Sequence, residues 1–156
     1  MKRSIIVVVF ALLAGSGLSQ IKTTGLPFIK GYDKTRYAAG TQNWDICQDS
    51  SGIMYFANND GVLQFDGERW RTYPLFNNSI VRSLLFDASG KLYASGFNEF
   101  GYFDTDTQGD LVYHSLRDKL PEGHKNIGEV WRIHEVSEGI IFQSFSHILL
   151  LADDDD

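Results

Sequence analysis

Short apolar runs alternate with turn-forming residues along most of the chain from residue 43 onward. The runs are rich in β-branched and aromatic residues, and Asp, Asn, Ser and Gly stand between them. This pattern is typical of short β-strands joined by tight turns, since the apolar positions of a helix would instead recur every three to four residues. The first unit therefore predicts four antiparallel strands, at 43–47, 53–57, 61–65 and 69–73.

The strand pattern repeats along the chain. A shift of 38 residues places the turn phrase Asp-x-Ser-Gly of residues 49–52 on the same phrase at 87–90, and a further shift of 49 residues relates the second unit to a more divergent third one. Four-stranded units that recur at about 40 residues are a signature of β-propeller blades. We therefore predict an all-β fold of about three blades, each a four-stranded antiparallel sheet.

The repeat also predicts the organisation of the chain. Propellers close with about 4–8 blades, whereas the third unit here stops before a fourth strand, so we expect the N-terminal fragment of a larger, incomplete propeller. The stretch PFIKGY at 27–32 is a candidate for the outer strand of the last blade, which would close the ring. The predicted segments are a signal peptide at 1–19, a lead-in at 20–42, blades at 43–75 and 80–116, an inserted loop at 117–128 and an incomplete third blade at 129–156.

The first residues indicate export. Lys2 and Arg3 precede an apolar run from residue 5 to residue 14, and small residues lead to a predicted cleavage after Ser19. This is the pattern of a secretory signal peptide, and the run is shorter than the roughly 20 apolar residues that span a bilayer. The formal net charge is −6, and an acidic surface repels phosphate backbones. We therefore expect no contact with nucleic acid.

The sequence provides little that predicts catalysis or metal binding. Cys47 is the single cysteine, which excludes an intramolecular disulfide and favours a small buried side chain on a strand. In DTDTQGD, Asp104 and Asp106 match two positions of a calcium loop, but Gln108 and Ser115 occupy positions that need carboxylates. A hairpin turn explains this stretch better. The histidines are spaced too irregularly for zinc, and we predict no catalytic residue, metal or cofactor.

Arg82, Asn98 and Glu99 are the candidate ligand-binding residues. Inner strands and their adjoining turns line the mouth of a propeller, where ligands usually dock, and we expect Asn98 and Glu99 to lie in a turn and to face solvent. Trp44 and Trp131, on predicted inner strands, are expected to pack between blades. Other aromatic residues with ring faces for stacking on a sugar are Tyr37, Trp70, Phe97 and Tyr102.

Three stretches carry a resemblance to a known family. YAAGTQNWDICQDSSGIMYFANNDGVLQFDGERW, FNEFGYFDTDTQGDLVYHSLRDKLP and GEVWRIHEVSEGIIFQSFSHI resemble the opening of the two-component regulator propeller family, the extracytoplasmic sensors common in Bacteroidetes. The resemblance runs from about Pro27 to His147. Its closest branch is the one in which the propeller is followed by a triple-tyrosine domain, a transmembrane helix and a cytoplasmic LuxR-type or histidine kinase module. Those later parts have no counterpart in these 156 residues.

The resemblance implies a non-enzymatic sensor domain on the periplasmic side of the inner membrane that acts in signal transduction and transcription regulation. Its expected partners are an unknown small ligand, for which an oligosaccharide is one candidate, and the remaining blades and downstream domains of the full-length protein. A homodimer is a further option. Two alternatives stay open, namely a secreted propeller enzyme that acts on polysaccharide as a lyase or hydrolase, and an adhesive scaffold.

Overall fold

The computed structural model describes Gly25 and residues 28–152, so the predicted signal peptide at 1–19 lies outside the described residues. The chain divides into two units, residues 1–31 and 32–156. In the described part of the first unit, residues 28–31 have no regular secondary structure. The predicted ring-closing strand at 27–32 therefore stays a prediction.

Three antiparallel sheets make up the described part of the second unit, and we name them blades 1, 2 and 3. The strands of each blade follow one another across the sheet in chain order, and in blade 1 their ends lie within one residue of the predicted ones. The prediction of an all-β fold built from propeller blades is confirmed. The strands are β1 Asn43–Gln48, β2 Met54–Asn58, β3 Gly61–Phe65 and β4 Trp70–Tyr73 in blade 1, β5 Val81–Phe86, β6 Leu92–Gly96, β7 Glu99–Thr105 and β8 Leu111–Ser115 in blade 2, and β9 Val130–Val136, β10 Gly139–Ser144 and β11 Ile148–Ala152 in blade 3.

Two short helical segments complete the described structure. Helix α1 at Lys34–Tyr37 begins where Asp33 Oδ1 accepts hydrogen bonds from the backbone N–H groups of Thr35 at 3.0 Å and Arg36 at 3.2 Å, which satisfies free donors of its first turn. A 3-10 helix at Arg117–Lys119 follows β8. Among the described residues, neither these segments nor any other helix has the length and apolar character to cross a membrane.

Blade 2 is the centre of the fold because both of its faces are covered. Strand β6 illustrates this, since all five of its residues are buried. Leu92 and Ala94 belong to the core shared with blade 1, whereas Tyr93, between them, belongs to the core shared with blade 3. Successive side chains of a strand point to opposite faces, so a strand between two covered faces is buried at every position.

The first strands of the three blades, β1, β5 and β9, lie side by side. Two sets of polar contacts fix them. Asp45 Oδ2 on β1 accepts hydrogen bonds from Ser83 Oγ at 2.9 Å and Leu84 N at 3.1 Å on β5. Ser95 Oγ on β6 donates to the Val130 carbonyl oxygen on β9 at 3.0 Å. These bonds set the position of each inner strand against the next blade.

The repeated Asp-x-Ser-Gly phrase is a turn that its aspartate organises. Asp49 Oδ1 accepts hydrogen bonds from Ser51 N at 2.9 Å, Ser51 Oγ at 2.7 Å and Ile53 N at 3.0 Å, and Oδ2 accepts one from Tyr55 Oη at 3.1 Å. Gly52 has a φ of 92°, which side-chain-bearing residues rarely adopt. Burial by itself raises the pKa of Asp49, but these hydrogen bonds together lower it below its usual value.

We expect Asp49→Ala to lower the free energy of unfolding by about 1–2 kcal/mol at neutral pH, because four donors lose their acceptor. Ser50→Ala, at an exposed position of the same turn, should change it by less than about 0.5 kcal/mol. Since the pKa of Asp49 is lowered in the folded state, its contribution is complete above the unfolded pKa of about 3.9 and is lost as pH falls through the folded pKa. Urea unfolding of the wild type and of Asp49→Ala, in neutral and in acidic buffer, measures the difference in their free energy of unfolding. A difference that stays the same at acidic pH would contradict the role of the Asp49 carboxylate.

Candidate functional site

All three inner strands contain a β-bulge at the same place. In each case one residue of the inner strand is skipped in the pairing with the next strand, and the skipped residues are Trp44 on β1, Arg82 on β5 and Trp131 on β9. A bulge bends its strand and changes the direction of the extra side chain, and bulges are frequent next to functional sites. We call Trp44, Arg82 and Trp131 the bulge cluster.

The three side chains of the bulge cluster meet. The guanidinium carbon of Arg82 lies 4.2 Å from the centre of the Trp44 ring and 4.8 Å from that of Trp131. The two indole rings are 6.4 Å apart at an angle of 72°. A cation against an aromatic face is attracted by the ring quadrupole. One residue from each blade therefore contributes to a single contact at one end of the inner strands.

Glu129 holds the guanidinium of Arg82 from the side. Arg82 Nε donates to Glu129 Oε2 at 3.0 Å, and Arg82 Nη2 donates to Glu129 Oε1 at 3.1 Å. The Arg82 side chain is 10% exposed and that of Glu129 is 25% exposed. A bidentate pair of this kind is directional as well as charged, so Arg82 has a fixed orientation between blades 2 and 3.

Two hydrogen-bond donors of the cluster have no partner among the described residues. Arg82 Nη1 and Trp131 Nε1 are both buried, and neither bonds to an atom of the part of the chain that the structure describes. Most buried polar atoms in folded proteins are paired, so such atoms call for an explanation. By contrast, Trp44 Nε1 donates to Asn59 Oδ1 at 2.9 Å. The indole N–H of Trp44 is therefore satisfied, whereas Arg82 and Trp131 each keep a donor nitrogen without a partner among the described residues.

The turns between second and third strands surround the cluster, because in antiparallel blades these turns lie at the end where the first strand begins. Asn59, Phe97 and Phe145 occupy these turns in blades 1, 2 and 3. Phe145 is 91% exposed, and its ring lies 5.7 Å from that of Trp131. Phe97 is also exposed and forms an isolated β-bridge with Glu129. This end of the blades therefore presents aromatic side chains to solvent.

Asn98 lies beside this end and fixes the segment that leads to Glu129. It adopts a φ of 50° in the turn after Phe97. Its backbone N–H donates to the Gly128 carbonyl oxygen, and its Oδ1 accepts from Gly128 N, both at 2.8 Å. Since Gly128 precedes Glu129, Asn98 supports the partner of Arg82. The structure thus connects two of the three candidate residues.

The expectation that Glu99 faces solvent is wrong. Glu99 begins strand β7 and is 1% exposed. Its Oε1 accepts hydrogen bonds from Ser115 Oγ at 2.6 Å, Tyr113 Oη at 3.1 Å and Phe100 N at 3.1 Å. Burial, followed by the charge of Glu99 and its hydrogen bond, raises the pKa of Tyr113, so the hydroxyl keeps its proton and remains a donor. Glu99 therefore holds β7 to β8 inside blade 2.

The other aromatic candidates lie elsewhere. Trp70 stacks on Phe65 with ring centres 4.1 Å apart, and Tyr37 packs against Trp70. Tyr102 stacks on His114 at 5.1 Å. Trp44 contacts Arg82 of blade 2 and Trp131 of blade 3, as expected for packing between blades, but it is less buried than expected, since it is 40% exposed. Of the aromatic candidates, only Trp44 and Trp131 belong to the bulge cluster.

The acidic stretch at 104–110 is a hairpin between β7 and β8. Asp106 Oδ1 accepts hydrogen bonds from Gln108 N at 2.8 Å and Asp110 N at 2.9 Å, and these backbone bonds lower the pKa of Asp106. No group of three or more His, Cys, Asp or Glu side chains suited to a metal ion occurs within the described residues. The carboxylate of Asp106 serves the turn.

Cys47 is half-buried and packs against the core between blades 1 and 2. Burial above all, with the nearby charges of Asp45 and Asp49, raises its pKa to about 12. The thiol is therefore protonated at neutral pH. A protonated thiol is a poor nucleophile.

Sequence reasoning missed the bulge cluster as a unit, although a signal for it exists. Trp44 and Arg82 are 38 residues apart and Arg82 and Trp131 are 49 apart, which are the two shifts that relate the blades. Equivalent positions of neighbouring blades lie close together near the inner strands. Glu129 and Phe145 have no comparable signal, because each depends on the detailed path of one loop or turn.

Comparisons with known proteins agree with the blade architecture. Neither the protein-family models nor the curated proteins give a match. Among solved structures, the chain is similar to the extracellular domain of a hybrid two-component system from B. thetaiotaomicron, with a TM-score of 0.63 and 15% sequence identity. The similarity covers 82% of this chain and 18% of that chain. At this identity the likeness establishes the fold, and this chain spans about a fifth of its neighbour's length.

Proposed function

We propose that the chain supplies the N-terminal blades of an extracytoplasmic ligand-binding sensor propeller, which belongs to a transmembrane regulator of transcription. The observation that carries this proposal is the bulge cluster, in which each of three blades contributes one side chain to the same end of the inner strands. A ligand that docks there contacts several blades at once. Such a ligand shifts the equilibrium between two arrangements of the blades, and the size of the shift is set by the difference in its affinity for the two arrangements.

Three further points support this reading. The solved neighbour is itself described as the extracellular domain of a hybrid two-component system. The N-terminal pattern around Lys2 and Arg3 favours export. The blade phrases resemble the two-component regulator propellers, and the triple-tyrosine branch with a kinase or LuxR-type output is the one we propose.

The carboxylates near this end favour binding over hydrolysis or elimination. Asp45 accepts hydrogen bonds from Ser83 and Leu84. Glu129 accepts hydrogen bonds from Nε and Nη2 of Arg82. Glu99 is buried inside blade 2. A carboxylate that acts as general acid or base must reach the proton that it transfers. We therefore propose a non-enzymatic role, with the downstream domains as partners.

The proposal predicts the rest of the gene and a response to ligand. Past the codon for Asp156 we expect further blades, a membrane-spanning helix and an output domain. A strain that lacks the gene should fail to induce one group of transcripts on one of a panel of polysaccharides and oligosaccharides, and the intact gene should restore induction. A full-length product that degrades polysaccharide, with no transcriptional change in the deletion strain, would contradict the sensor and favour a secreted enzyme.

A further inference from the structure

The bulge cluster has an unusual distribution of hydrogen-bonding groups. The guanidinium of Arg82 and the indole N–H of Trp131 are donors only, with no acceptor atom. Glu129 takes the Nε and Nη2 donors of Arg82, and Nη1 remains, together with Trp131 Nε1. A group that only accepts hydrogen bonds complements each of these unpaired donors.

We propose that the bulge cluster is a binding site for a carboxylate-bearing ligand, whose carboxylate oxygens accept hydrogen bonds from Arg82 Nη1 and Trp131 Nε1. The proposal rests on the proposed function in that it names the ligand class of the same site. An ionised carboxylate is acceptor-only, and charge-assisted bonds to arginine are about twice as strong as neutral ones. Glu129 already binds this guanidinium through a carboxylate, which leaves the adjoining Nη1 for a second one.

The planar guanidinium of Arg82 favours a planar anion. The rings of Trp44 and Trp131 lie 4.2 Å and 4.8 Å from the guanidinium carbon, so the guanidinium has aromatic neighbours from two other blades. A carboxylate is flat and pairs edge to edge with a guanidinium. Sulfate and phosphate are tetrahedral, so two of their four oxygens lie outside the guanidinium plane when the other two lie in it. Trp44, 40% exposed, provides an apolar surface for the remainder of the ligand.

Entry of the ligand requires a side chain to move, because both unpaired atoms are covered. Phe145 packs on Trp131 and is 91% exposed. Little contact with the protein opposes its rotation.

The test is a titration of the full-length exported protein, followed by tryptophan fluorescence and calorimetry. The probes are D-glucuronate, as a sugar acid, and phenylacetate, as an aromatic acid. Their controls are D-glucuronamide and phenylacetamide, in which an amide replaces the carboxylate, together with inorganic sulfate. We expect saturable binding of at least one acid, and binding of its amide and of sulfate at least tenfold weaker. The acid that binds identifies the source of the carboxylate.

Variants assign the binding to the two donors. Arg82→Lys keeps the positive charge but loses the planar fork, and we expect at least a tenfold loss of affinity. Trp131→Phe keeps an aromatic ring without the N–H, and we expect a loss of several-fold. The matched controls are Arg71→Lys, which alters an exposed ion pair with Asp110, and Trp70→Phe, which lies in the separate stack with Phe65. Both should bind as the wild type does. Phe145→Ala should bind at least as tightly.

Several results would overturn the inference. These are equal binding of acid and amide, sulfate binding as tight as carboxylate binding, unchanged affinity in Arg82→Lys and Trp131→Phe, weakened binding in Phe145→Ala, or no binding of either acid up to about 10 mM. The outcome is separable from that of the proposed function. If the transcriptional response persists without carboxylate binding, the proposed sensor function is supported and the carboxylate ligand is contradicted. If carboxylates bind but the gene encodes no output domain, the binding site is supported and the sensor function is contradicted.

Discussion

Replacing Phe142 with alanine is expected to lower the free energy of unfolding by about 3–5 kcal/mol. Phe142 is 0% exposed on the middle strand of blade 3. Its ring lies 4.9 Å from that of Phe100 and 6.1 Å from that of Tyr93, both on blade 2. Truncation to alanine removes the largest fully buried side chain of the described core and leaves a cavity between two blades, which neighbouring backbone cannot easily close.

The matched control for this change is Phe145→Ala, three positions along the chain. Phe145 is the same residue type but is 91% exposed, so its truncation should alter the free energy of unfolding by less than about 0.5 kcal/mol. Urea unfolding of the two variants and the wild type, followed by circular dichroism, gives both values. Similar losses at the two positions would mean that blade 3 does not pack on blade 2 through Phe142.

The strands could be predicted from the sequence because the information for them is local. Alternation of side chains, β-branched residues and turn residues act over a few positions. Asp49 and Gly52 are an example, since the carboxylate bonds within its own turn and the glycine provides the positive φ. The all-β architecture follows from many such short signals. A wrong prediction at one turn or strand leaves the predictions for the others unchanged.

The position of Glu99 could not be predicted in the same way. By sequence it follows Phe97 and Asn98 in a polar stretch that looks like a turn. Its burial depends on hydroxyls of Tyr113 and Ser115, which lie on β8, the next strand across the sheet. Blade 1 has Gly61 at the equivalent position, where an added Cβ would meet the backbone of Tyr73 and Pro74. The repeat therefore preserves the strand but not the environment of this residue.

The bulge cluster lies between these two cases. The alignment of the repeats places Trp44, Arg82 and Trp131 at one equivalent position, which indicates proximity. Whether such side chains point between blades or towards one another depends on the register with the second strand, and a one-residue change reverses the direction of a side chain. The three bulges supply that change. Sequence could therefore identify Arg82 as a candidate without revealing its aromatic partners.

Glu99→Ala is expected to lower the free energy of unfolding by about 2–4 kcal/mol. The carboxylate oxygen Oε1 is the common acceptor for Ser115 Oγ, Tyr113 Oη and Phe100 N. Alanine leaves these donors without that acceptor in a site that is almost closed to water, since Glu99 itself is 1% exposed. An unsatisfied buried donor costs about 1–3 kcal/mol. Blade 2 is covered on both faces, so the loss should weaken its contacts with both neighbours.

The variant Glu99→Gln distinguishes the contribution of the hydrogen-bond acceptor at this position from that of its negative charge. Glutamine keeps an oxygen at the same position and a similar volume, so Ser115 and Tyr113 retain an acceptor, and we expect less than half of the loss that alanine causes. Urea unfolding at neutral pH compares the two variants with the wild type. A loss in Glu99→Gln as large as in Glu99→Ala would assign the stabilisation to the negative charge. A neutral effect of Glu99→Ala would contradict any role for Glu99 in joining β7 to β8.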